Sequence, residues 1–180
     1  QMLGTQTRRH SLLRSALWFA YLCPKVGVCT SENIMIEEVS ETNLEELLPL
    51  IRAYQEFYNV SEISDKKNHE FFSQFGPHAG AGCQFLYRID GEATAFATVY
   101  FSFASTITSK VGVLNDLYTA PSYRGKGIGR KLIEHCKDFA IQKGASRLQW
   151  TTALDNTQAQ KLYDSMETNK STWHFYAYGT

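Results

Sequence analysis

The sequence predicts a mixed α/β (α+β) domain, and three observations carry that reading. Two strand-like runs, residues 84–89 and 92–103, flank Asp90-Gly91, a two-residue hairpin signal. A further strand-like run, 111–118, passes through a glycine-rich loop into a helical pattern that begins at Arg130. Leu44, Leu47, Leu48, Ile51 and Tyr54 recur at the spacing of a half-buried helix. Hairpins followed by strand–helix–strand units describe a sheet flanked by helices.

The elements follow in order. The first strand covers residues 35–39, and Ser40 or Thr42 caps the helix after it. Pro49 lies inside that helix and predicts a kink or a division. A second short helix opens at Ser64 or Asp65, carries Phe71, Phe72 and Phe75, and closes at Gly76-Pro77. The hairpin comes next, then a turn over 104–109 and the strand 111–118. The helix 130–143 buries Leu132, Ile133, Cys136 and Phe139 or Ala140, and Gly144 ends it. A strand over 147–152, a short helix over 157–165 and a last strand over 172–178 complete the pattern.

A chain of 180 residues, 43% hydrophobic and 13% aromatic, supports one domain with a sizeable core. Eighteen basic residues balance eighteen acidic ones, which gives no reason to expect a nucleic-acid partner. The four cysteines, Cys23, Cys29, Cys83 and Cys136, have no metal spacing, and His69, His78, His135 and His174 do not cluster. No metal is expected, and a reducing, cytoplasmic setting fits. Residues 1–34 read as an N-terminal arm or appendage ahead of a domain over 35–180. Arg8, Arg9 and His10 followed by Leu12 and Leu13 have the outline of a targeting or transit segment. Arg14 interrupts the apolar run, which is too short to span a bilayer. The reading preferred is an amphipathic arm whose Leu12, Leu13, Trp18, Phe19 and Tyr21 need cover from their own domain or a second subunit.

Most of the chemical information sits in Pro121-Ser122-Tyr123-Arg124-Gly125-Lys126-Gly127-Ile128-Gly129-Arg130. Glycines at a strand–helix junction let backbone N–H groups approach an anion, and the helix start adds partial positive charge. Arg124 and Lys126 add two cations. The plainer reading is a tight turn that binds nothing. A P-loop is excluded because no Gly-Lys-Ser/Thr occurs. The dinucleotide fingerprint is excluded because the spacing is Gly-x-Gly-x-Gly and the next strand ends Trp150-Thr151-Thr152, without a carboxylate.

What remains resembles the acyl-CoA loop of the GCN5-related N-acetyltransferases (GNAT), Gln/Arg-x-x-Gly-x-Gly/Ala, with Arg124, Gly127 and Gly129 in its fixed positions. The similarity covers about residues 35–178. Residues 114–125 look like the family's fourth strand running into its pyrophosphate loop. Asn156, Ala159, Leu162 and Tyr163 are similar to its Asn-x-x-Ala-x-x-Leu/Phe-Tyr segment. Trp173-His174-Phe175-Tyr176 is similar to the ending of the spermidine/spermine-type amine acetyltransferases.

The resemblance implies a splayed mixed β-sheet flanked by helices, in which two parallel central strands separate to admit the cofactor. It implies acetyl-CoA as acyl donor. Backbone groups of Leu117, Tyr118 and Thr119 would pair the pantetheine arm. Arg124, Gly125, Lys126, Gly127, Ile128, Gly129 and Arg130 would hold the diphosphate, with Asn156 as a cap or a further cofactor contact. Tyr163 would be the acid that protonates the leaving thiolate, since a phenol keeps its proton at neutral pH. Where the amine acetyltransferases carry Glu-Asp, this chain reads Asn115-Asp116. Asp116 as base, a water chain, a different substrate, or Asp116 as a structural acid all remain open.

The acceptor implied is a primary amine, small and cationic (polyamine-like), acetylated by direct transfer in a ternary complex. Tyr54, Glu56, Tyr58, Glu62, Asp65 and Glu70 would line its wall, or else form a solvated helix face. The alternatives are a non-catalytic acyl-CoA-binding module and an acetyltransferase for peptide, amino-acid or aminoglycoside amines. A homodimer, built through the aromatic last strand or the arm, is the expected assembly.

Overall fold

A computed structural model describes residues 32–179. The expected arm lies almost wholly outside them, as do Cys23 and Cys29. The described chain belongs to one compact unit, Glu32–Thr180. Its elements are β1 (Ile34–Glu38), α1 (Leu44–Phe57), α2 (Asp65–Phe72), β2 (Gly82–Ile89), β3 (Glu92–Ala104), β4 (Ser109–Thr119), α3 (Ile128–Gln142), β5 (Leu148–Gln149) and α4 (Thr157–Asp164).

The strands form one sheet in sequence order. β1 to β4 pair antiparallel, and β5 joins β4 in parallel. Alternation along β2 sorts the side chains onto two faces. Phe85 and Tyr87 face α3 with Ala95, Ala97, Val99 and Leu114, against Leu132, Ile133, Cys136 and Phe139. Leu86, Phe96 and Tyr118 face α1 and α2, against Leu47, Ile51 and Phe72. The β2–β3 hairpin turns at Asp90 (φ 50°) and Gly91 (φ 87°), both left-handed, as its two-residue signal demands.

Local chemistry explains most boundaries. The Ser64 hydroxyl accepts from Lys67 N at 3.3 Å and opens α2. Gly144, at φ 85°, follows α3 in the left-handed conformation that ends helices. α1 does not divide into two helices: it runs unbroken over 14 residues with Pro49 in its second turn. At its start Asn43 Oδ1 accepts from Ser40 N at 2.8 Å and so builds the preceding turn instead of capping the helix.

Two expected strands differ. The strand foreseen over 147–152 shrinks to Leu148–Gln149, and the run foreseen over 172–178 is no strand at all. Trp173, Phe175, Tyr176 and Tyr178 are each at least 86% exposed. β-propensity becomes a strand only where an edge is available, and β5 pairs through only two positions, Gly112 with Leu148 and Val113 with Gln149.

Candidate active site

The separation of β4 from β5 positions the site. Beyond Val113, β4 continues to Thr119 with β3 on one side and no strand on the other among the described residues. Its outward backbone groups over residues 114–119 form an open edge that an amide-bearing chain can pair with. Leu117, Tyr118 and Thr119 lie on this edge. A β-bulge marks the same place: Thr98 faces Asp116 and Val99 faces Leu114, leaving Asn115 as the extra residue.

After β4 the chain makes a short turn, Pro121–Tyr123, and enters α3 through Gly125 and Gly127, at φ 77° and 78°. Both glycines have open space where a Cβ would stand. The first helical backbone bond is donated by Lys131 N to Gly127 O at 3.2 Å. Among the described residues, the amides of Gly125, Lys126, Gly127, Ile128, Gly129 and Arg130 have no acceptor, which leaves six N–H groups at a helix start. This cradle fits a diphosphate, and the β4 edge beside it fits the amides of a pantetheine arm.

The three expected cations differ in use. Arg124 donates through Nε to Thr119 O at 2.9 Å, with its guanidinium over the rings of Phe57 and Tyr118. Arg130 reaches α4 and donates to Ser165 Oγ at 2.7 Å. Both side chains brace the loop. Lys126 is exposed beside the Tyr123 ring, and the Tyr123 phenol donates to Glu92 Oε2 at 2.8 Å. Gly129 serves close packing: a Cβ there would stand 3.1 Å from Leu162 Cδ2 of α4.

Asn156 caps α4, its Oδ1 accepting from Ala159 N at 3.2 Å. One face of α4 presents Tyr163, half-buried and edge-on to Trp150 with ring centroids 5.4 Å apart. Burial, and to a smaller degree the nearby Tyr58, push the Tyr163 phenol above its ordinary pKa. It therefore holds its proton at neutral pH, as an acid must.

Asp116 is 7% exposed on the α1 side of the sheet. Its Oδ1 accepts from Asn115 Nδ2 at 3.1 Å, while Oδ2 has no hydrogen-bond partner among the described residues. Burial raises its pKa, and the polar groups of Thr98, Asn115 and Tyr54 oppose that shift. Tyr54 of α1 and Tyr100 of β3 stand around it. Burial chiefly, and the Asp116 charge second, push both phenols up, Tyr100 to about 12.

The acidic wall expected over residues 54–70 is reduced by pairing. Asp65 bonds Arg52 at 2.6 Å and Glu70 meets Lys66 at 3.7 Å. The aromatic part of that wall does reach the site, since Tyr54 packs on Tyr58, Phe96 and Tyr118. Sequence reasoning missed Thr98, Gln84, Tyr100 and Trp150. For Gln84 and Thr98 the available signal was a polar residue at an inward position of an otherwise apolar strand. Among the described residues no group of His, Cys, Asp and Glu side chains has metal-binding geometry, and no helix is long and apolar enough to cross a membrane.

Known proteins agree with this geometry. The acetyltransferase (GNAT) family profile matches residues 47–168. An uncharacterized N-acetyltransferase of Bacillus subtilis is 30% identical over 129 residues, covering 72% of this chain and 85% of that protein. The thialysine N-epsilon-acetyltransferase of Bos taurus is 29% identical over 159 residues, covering 81% and 92%. An aminoglycoside N-acetyltransferase solved in complex with CoA superposes with a TM-score of 0.70 at 20% identity, covering 84% of this chain and 98% of that one. The open β4 edge and the six unpartnered amides at the α3 start thus sit in a fold shared with known acetyltransferases. The chain belongs to the acetyltransferase (GNAT) family, whose members are acyltransferases that take the acetyl group from acetyl-CoA.

Proposed function

We propose that this protein acetylates a small cationic, polyamine-like primary amine by direct transfer from acetyl-CoA within a ternary complex. In this reading the residue 124–130 loop holds the diphosphate through its amides, and the β4 edge at Leu117, Tyr118 and Thr119 aligns the thioester. The amine nitrogen bonds the thioester carbon and gives up its proton toward Asp116. The carbon–sulfur bond breaks, and the sulfur takes the Tyr163 proton.

One observation carries the proposal: a buried carboxylate, Asp116, lies under Tyr54 at the bulge of the edge strand, while Tyr163 and Tyr54 both neighbour Tyr58. Aromatic faces over a carboxylate favour a compact cation through cation–π attraction and charge. The thialysine enzyme among the relatives supports an aliphatic amine. Peptide, amino-acid and aminoglycoside amines are the competing acceptors.

The same reading takes residues 35–180 as the catalytic domain, preceded by the arm, in a cytoplasmic homodimer. Four exposed aromatics between residues 173 and 178 support a subunit contact there, and the buried free thiols Cys83 and Cys136 suit a reducing compartment. Thiol release from acetyl-CoA, measured across polyamines, diamines, lysine analogues, peptides and aminoglycosides, tests the acceptor class. Highest kcat/KM on a polyamine or diamine supports the proposal; turnover confined to peptides or aminoglycosides overturns it.

A further inference from the structure

Three polar residues stand side by side across three strands on the α1 face of the sheet. Gln84 of β2 is opposite Thr98 of β3, and Thr98 is opposite Asp116 of β4. Directly opposed residues on one face bring their Cβ atoms to about 5 Å. Gln84 and Thr98 are fully buried and Asp116 nearly so. Among the described residues, Gln84 Nε2, Gln84 Oε1, Thr98 Oγ1 and Asp116 Oδ2 have no partner in direct hydrogen-bond geometry, although the Thr98 and Tyr54 hydroxyls lie near enough to Asp116 to act on its charge. The neighbours along this face are apolar, among them Leu86, Phe96 and Tyr118.

Four orphaned polar atoms in one contiguous row are a strong departure from the rule that buried polar groups are satisfied. A water needs two to four polar partners to be held in an interior, and this row supplies donors and acceptors together. Gln84 contributes an N–H donor and a carbonyl acceptor, Thr98 a hydroxyl that turns either way, and Asp116 an acceptor.

We propose that Gln84, Thr98 and Asp116 form one buried site that binds a water molecule against Asp116 Oδ2, and that Thr98 and Gln84 are positioning residues that set the proton affinity of that carboxylate. This rests on Asp116 being the base of the proposed reaction. A hydrogen bond delivered to the charged carboxylate favours it, and Thr98 offsets part of the upward push of burial on Asp116. The titratable groups that face Asp116 are Tyr54 from α1 and Tyr100 from β3. Both phenols are pushed up, so neither changes charge where the carboxyl does.

The test is the titration of Asp116 in the full chain, read by carbon NMR of protein labelled at aspartate carboxyls and assigned with Asp116→Asn. Thr98→Val keeps the shape and removes the hydroxyl. It should raise the Asp116 midpoint by about one pH unit. Thr98→Ser should restore it, and Gln84→Met should give a smaller rise. In the enzyme the acidic limb of kcat/KM should move by the same amount in Thr98→Val, and a crystal structure should place a water within hydrogen-bond distance of Oδ2 and Thr98 Oγ1. An unchanged midpoint in folded Thr98→Val, or lost stability with no shift in either profile, overturns the inference. The base reading fails separately: it is Asp116→Asn itself that would then leave the acidic limb in place.

Discussion

Arg124 donates through Nε to the carbonyl of Thr119, tying the glycine loop to the end of the strand it follows. The cation at the motif's first position is thereby committed to its own backbone, with its guanidinium also lying over Phe57 of α1. In the proposed function Arg124 serves coenzyme binding by fixing the loop more than by pairing charge. Arg124→Ala should weaken CoA binding about tenfold, and that loss should change little with salt, because exposed charge pairing is what salt screens. Isothermal titration at two ionic strengths measures it.

The two fixed glycines of the motif, Gly127 and Gly129, should fail differently. Gly127 sits at φ 78° with open space around it, so Gly127→Ala strains the backbone by about 1–2 kcal/mol and lifts the CoA Kd through a distorted cradle. Gly129 has ordinary backbone angles but abuts Leu162 of α4. Gly129→Val should push α4 away, displace Tyr163, and lower kcat more than CoA affinity. Steady-state kinetics beside direct CoA binding separates the two.

Tyr163→Phe keeps the edge-on contact with Trp150 and removes the proton donor. It should lower kcat about 100-fold, the range of one general acid, and leave CoA affinity nearly unchanged. Equal losses in kcat and in affinity would make Tyr163 a packing residue.

Asp116 links activity to stability. Burial raises its folded pKa above the unfolded value near 3.9, so the fold favours the protonated form. Stability from this group is full below the unfolded pKa and is lost as pH rises through the folded one. Asp116→Asn fixes the neutral state. It should raise Tm at pH 7.5, and by less near pH 4. Turnover should fall in the same variant. A destabilised Asp116→Asn at pH 7.5 would contradict this.

Local signals were legible in the sequence and pairing was not. Asp90-Gly91 announces a hairpin because both residues tolerate left-handed angles, and the loop announces a helix start because its glycines and spacing are local. Leu117, Tyr118 and Thr119 could be placed on an open edge because the family resemblance supplies the splay. The short β5 and the unpaired 172–178 segment were misread because alternating aromatics do not say whether an edge exists to receive them. The row Gln84, Thr98, Asp116 was invisible for a related reason. Its members are distant in sequence and meet only through the registers of two strand pairs, one of them interrupted by the Asn115 bulge.

The most direct measurement is a crystal structure of the full chain with CoA. The diphosphate oxygens should lie about 3 Å from the amides between Gly125 and Arg130, the pantetheine amides along residues 117–119, and the sulfur within hydrogen-bond reach of the Tyr163 hydroxyl. CoA bound elsewhere, or its sulfur directed away from Tyr163, would contradict it.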